Sequence, residues 1–76
     1  MDLEERRTRI RQKMRDGELV SNVTRQFSVC AGPGQGPPCS VCGRVLGARD
    51  TEFEFSSGVR LDVQCFTVWL EELGRG

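Results

Sequence analysis

Cys39 and Cys42 stand two residues apart in Pro38-Cys39-Ser40-Val41-Cys42-Gly43, a spacing that lets both thiolates bind one metal ion. Gly43 fits this use, because a glycine there lets the chain turn tightly with positive φ while backbone N–H groups approach the sulfurs. Cys65 supplies a third sulfur and Asp62, three residues earlier, a carboxylate. Residues three apart across one helical turn share a face, so Asp62 and Cys65 can both point at an ion held by the first two cysteines. The chain contains no histidine, so any metal must be held by sulfur and oxygen. Cys30 is the alternative fourth ligand: four thiolates make a conventional zinc site, and the loop that follows Cys30 could fold it back onto the ion. Geometry favours Asp62 and ligand chemistry favours Cys30, so the sequence leaves both open. It also leaves open a metal-free outcome, with the cysteines as small buried hydrophobes or an oxidised pair.

Other cysteine chemistry finds less support. A thioredoxin-like Cys-x-x-Cys belongs beside a βαβ pattern, and none is visible. The positions of Cys30, Cys39, Cys42 and Cys65 match neither ferredoxin spacing. A zinc deaminase pairs Pro-Cys-x-x-Cys with an upstream His-x-Glu, which a chain without histidine lacks. An enzyme is therefore not expected. Gly32, Gly34 and Gly36 imitate a phosphate-binding loop, but prolines intervene and no strand-to-helix context surrounds them.

A chain of 76 residues forms one domain at most, which buries too little apolar surface to be stable without a staple, and the four cysteines can provide one. The N-terminal stretch has no apolar segment behind a basic one, so it does not read as a secretory signal. No apolar run approaches membrane-spanning length. The expectation is a cytoplasmic protein with reduced thiols, a setting that favours metal over disulfide. Eleven basic and eleven acidic side chains cancel, which argues against a protein that draws its affinity from phosphate backbones.

Several elements must position these ligands. Residues 2–15 are strong helix formers, with Leu3, Ile10 and Met14 along one stripe, acidic residues early, basic residues late and Asp16-Gly17 as a stop. Asp2 with Arg6 and Glu5 with Arg9 are spaced for pairing. Arg7, Arg11 and Arg15 form a basic stripe, either a solvated face or a contact for an acidic partner or nucleic acid, with Arg25 nearby. Residues 18–29, with Leu19, Val20, Val23 and Phe27, read as an extended connector that ends in a short strand. Residues 31–38 read as a glycine and proline loop. Residues 51–55 and 59–63 alternate polar and apolar around Ser56-Ser57-Gly58, which predicts a β-hairpin burying Phe53, Phe55, Val59 and Leu61, with Glu52 and Glu54 facing solvent. From 64 to 73, Phe66, Trp69, Leu70 and Leu73 fall at helical spacing, with Trp69 a core residue and Gly74 a stop.

The expected fold is α+β: residues 1–29 form a helix and connector, and residues 30–76 a small metal-clipped domain of knuckle, hairpin and C-terminal helix. Pro38-Cys39-Ser40-Val41-Cys42-Gly43 with Leu61-Asp62-Val63-Gln64-Cys65-Phe66 and Trp69 resembles small bacterial zinc-finger proteins of treble-clef type, whose pattern is CxxCG followed by LHxxCFxxW. The resemblance covers residues 32–73, and Asp62 stands where that pattern has histidine. The expected centre is a structural Zn²⁺ on Cys39, Cys42, Cys65 and Asp62, and the first functional expectation is a non-catalytic interaction module, a small regulatory or adaptor protein that contacts another protein. The alternatives are a nucleic-acid-binding regulator using Arg7, Arg11 and Arg15, and a thiol redox or metal-responsive switch using Cys30.

Overall fold

A computed structural model of the chain describes residues 1–21 and 28–75. Val23, Arg25 and Phe27 of the expected connector lie outside the described residues. The order of elements is α1 (Leu3–Arg15), β1 (Val29–Pro33), β2 (Thr51–Phe55), β3 (Arg60–Leu61) and α2 (Val63–Arg75). The fold is α+β, with one helix at each end of a three-stranded antiparallel sheet of order β1-β2-β3.

Helix α1 begins where Asp2 Oδ1 accepts the Glu5 N–H at 2.8 Å, satisfying one of the donors a helix start leaves open. It ends in a Schellman motif: Gly17, with φ +84°, donates to the Met14 carbonyl, and Glu18 to that of Lys13. The stripe on its inner face centres on Ile10, fully buried, with Met14 partly buried, whereas Leu3 is exposed. The expected Glu5–Arg9 pair forms at 3.0 Å.

Strand β1 extends further than expected, into the glycine and proline stretch, and pairs with β2 from Val29↔Phe55 to Pro33↔Thr51. A Cβ on Gly34 would collide with the carbonyl oxygens of Leu46 and Gly47. Gly34 therefore lets residues 34–36 lie against 46–50, held by Gly34 N–H to the Asp50 carbonyl and Gly36 N–H to that of Leu46, both 2.9 Å. The hairpin forms with Phe53 opposite Leu61 and closes through Gly58, φ +94°. Val63, the last residue of the expected second strand, is exposed because the helix starts there.

Glu52 differs from its expected solvent-facing role: it is buried, and its carboxylate lies 3.2 Å from Arg60 on the neighbouring strand. Glu54, directly opposite Arg60, pairs with it at 3.0 Å. The cross-strand arginine neutralises both acids, which is what makes the burial of Glu52 tolerable.

Helix α2 packs on β2 and β3 and also meets α1. Its buried stripe is Cys65, Val68, Trp69 and Glu72, at i, i+3, i+4 and i+7, rotated from the expected one so that Leu70 is exposed. Gly74, expected as a stop, lies inside the helix. Phe66 stacks on Phe53 with centroids 3.9 Å apart, and Trp69 meets Phe55 edge-on at 4.8 Å. Trp69 Nε1 donates to the Val20 carbonyl at 2.8 Å, drawing the segment after α1 onto the sheet-facing helix. Ile10 and Leu19 of the N-terminal segment thus sit in one core with Cys39, Leu46, Leu61, Cys65 and Trp69.

Candidate metal centre

The Pro38-to-Val45 segment is a tight knuckle. Pro38 and Val45 form an isolated antiparallel bridge, the Cys39 N–H donates to the Arg44 carbonyl at 2.8 Å, and the Gly43 N–H to that of Cys39 at 3.0 Å. Gly43 has φ +76°, the left-handed conformation that a residue with a Cβ adopts only at a cost. This turn aims N–H groups at sulfur. The Val41 N–H reaches Cys39 Sγ at 3.5 Å, with the Cys42 N–H also on Cys39 and the Arg44 N–H on Cys42 Sγ. The knuckle is fastened to β3 by Ser40, whose N–H donates to the Arg60 carbonyl at 2.7 Å and whose hydroxyl accepts the Arg60 N–H at 3.1 Å.

The second half of the site is the first turn of α2. Asp62 is its N-cap residue: Oδ1 accepts the Cys65 N–H at 2.7 Å, and its carbonyl accepts that of Phe66 at 2.9 Å. The other oxygen, Oδ2, accepts from the Cys42 thiol at 3.3 Å. One carboxylate therefore caps the helix and reaches the knuckle together. Cys39, Cys42, Asp62 and Cys65 each offer one ligand atom, and these atoms all lie within 4.8 Å of one another. Cys39, Asp62 and Cys65 are buried and Cys42 is half-buried. Cys30 stands apart, exposed on β1 opposite Glu54 and outside the group.

Protons hold this cluster together where a cation could. The hydrogen bond from Cys65 lowers the Cys39 thiol to about 5, against burial and helped by the backbone N–H groups of the turn. Cys65 is correspondingly raised, first as the donor to Cys39, then by burial and by its contact with Asp62. Burial raises Cys42 as well. Burial pushes the Asp62 carboxyl up, but hydrogen bonds from the Cys65 N–H and the Cys65 and Cys42 thiols, with the charge of Arg6, outweigh it and hold the group below its ordinary range. A buried carboxylate, an early-titrating thiol and two thiols that keep their protons form a set in which one divalent cation can replace the shared protons.

The basic stripe of α1 is divided. Arg7 donates to Glu71 at 2.7 Å and to Glu72 at 3.2 Å, and Arg11 grips both oxygens of Glu72 at 3.0 and 3.2 Å. Arg15 is exposed. The hydrogen bond from Arg11 is the chief cause of the lowered Glu72 carboxyl. Arg9, between them, donates to the Val41 carbonyl at 3.0 Å and so ties α1 to the knuckle. Glu72 did not stand out in the sequence, and Arg9 did so only as a partner for Glu5. Glu72 was detectable only as the i+7 partner of Cys65 on the buried stripe, and Arg9 carried no local signal for a contact 32 positions away.

No described helix is long and apolar enough to cross a membrane. No family model, no curated protein and no solved structure matches the chain.

Proposed function

We propose that the chain is a non-catalytic interaction module whose fold is held by a structural Zn²⁺ on Cys39, Cys42, Asp62 and Cys65. One observation carries this reading: three sulfurs and a carboxylate oxygen, from segments some 20 residues apart in sequence, gather within 4.8 Å of one another in the core. Zinc bound to thiolates at about 2.3 Å sets tetrahedral sulfurs about 3.8 Å apart, so closing onto an ion asks for only a small contraction. Four protein ligands leave no coordination position for a water, which is why the role is structural and not hydrolytic. The order of knuckle, hairpin and ligand-bearing helix supports a treble-clef-like arrangement, with Asp62 in the histidine position.

The partner we infer is another protein, in the cytoplasm, where the thiols stay reduced. Val45 on the knuckle and Val63 and Leu70 on α2 are exposed and offer it apolar surface. A phosphate-binding surface on Arg7, Arg11 and Arg15 has less support, because the first two are engaged by Glu71 and Glu72. Tight duplex DNA binding that weakens steeply with salt would favour the nucleic-acid alternative.

Native mass spectrometry with metal analysis tests the centre. We expect one zinc per chain in the wild type and in Cys30→Ser, and loss of stoichiometric metal in Cys65→Ser. A wild-type chain that is folded, reduced and metal-free in the presence of zinc overturns the reading.

A further inference from the structure

Arg6 is the one arginine of the 6–11 stretch whose role the fold leaves unexplained. Arg7, Arg9 and Arg11 each make side-chain hydrogen bonds to carboxylates or a carbonyl. Arg6 is half-buried, one helical turn before fully buried Ile10, and its Nε is buried with no hydrogen-bond partner among the described residues. Arg9, one turn further on, donates to the Val41 carbonyl between Cys39 and Cys42, so this part of α1 lies beside the knuckle. The charge of Arg6 acts on the Asp62 carboxylate.

A half-buried guanidinium whose buried Nε finds no acceptor is costly, and the metal reading supplies an anion for it. Three thiolates and a carboxylate on Zn²⁺ leave two excess negative charges, one more than a site with three cysteines and a histidine. The first turn of α2, which carries Asp62 and Cys65, offsets part of this through its positive end, and a nearby cation is needed for the rest. We propose that Arg6 is the counter-cation of the loaded centre: a positioning residue that binds no metal itself but raises the affinity of the Cys39, Cys42, Asp62, Cys65 set by neutralising its excess charge. This rests on the zinc reading above. It also explains how a carboxylate can replace a neutral imidazole at position 62: the extra charge is answered from α1.

The test is zinc competition against a chromophoric chelator for wild type, Arg6→Gln, Arg6→Lys and Arg15→Gln, with the melting temperature of each metal-free chain measured alongside. Arg6→Gln is expected to weaken zinc binding about tenfold. Arg6→Lys, which keeps the charge, should stay within about threefold of wild type, and Arg15→Gln, an equal charge change at an exposed position, within about twofold. Equal zinc affinity in wild type and Arg6→Gln overturns the proposal, and so does a tenfold loss in Arg6→Lys, which remains decisive should Arg6→Gln fail to fold. A purely structural role would lower the metal-free melting temperature and leave the affinity unchanged. If wild type itself binds no zinc, the metal reading fails first; normal wild-type binding with an unaffected Arg6→Gln sinks only the counter-cation.

Discussion

Asp62 does two jobs with two oxygens, and the pair can be separated chemically. Asparagine is as good an N-cap as aspartate but a far poorer ligand for a hard-to-soft borderline ion, so Asp62→Asn should keep the start of α2 while losing zinc affinity. Asp62→Ala should lose both, with the metal-free chain destabilised by about 1 kcal/mol relative to Asp62→Asn in thermal or urea melts. Cys30→Ser should change neither zinc content nor stability, since that side chain is exposed and outside the cluster. The spacing of Cys39, Cys42, Asp62 and Cys65 was legible because it is local: a two-residue gap at a turn and a three-residue gap on a helix. The choice between Asp62 and Cys30 was not legible, because it depends on where β1 runs. Strand pairing carries Cys30 to a position opposite Glu54, and only the three-dimensional path of the chain reveals that.

At the scale of elements, the helices are clamped by charge and the glycine-rich segment by close approach. Glu72 is buried between Arg7 and Arg11, and Glu72→Ala should destabilise the chain by about 1–3 kcal/mol by removing the carboxylate that both arginines share, leaving half-buried Arg7 with Glu71 alone. The sign of the pH effect follows from the lowered carboxyl. Its stabilising contribution is complete above the ordinary value of 4.5 and is lost as pH falls through the lowered one, so Glu72→Gln should be less acid-sensitive than wild type in melts between about pH 5 and pH 3. Gly34→Ala should cost about 2–3 kcal/mol, because the added carbon meets two backbone carbonyls that cannot move aside singly. Both helices and the hairpin were readable from periodicity and turn residues. The buried roles of Glu52 and Glu72 were hidden because an acidic residue beside apolar ones looks like the solvent side of an amphipathic element. Their neutralising arginines lie on another strand or 61 to 65 positions away. Strand β1 was missed in part because its glycines and proline suit a loop locally, and only pairing with β2 holds them extended.

At the scale of the molecule, a short chain builds one core into which the ligand cysteines are themselves incorporated: Cys39 and Cys65 are as buried as Leu46 and Leu61. On the zinc reading proposed above, an ion would act by tying the knuckle to α2 and not by filling space, because the sulfurs are already part of the core. Chelation should therefore loosen the knuckle and the first turn of α2 before it unfolds α1, which is held to α2 by Glu71 and Glu72. X-ray absorption at the zinc edge on the purified chain tests the central claim most directly. The expected first shell is three sulfurs at about 2.3 Å and one oxygen at about 2.0–2.2 Å. A shell of four sulfurs would bring Cys30 into the site and contradict the assignment of Asp62, and the absence of bound zinc would contradict the centre itself.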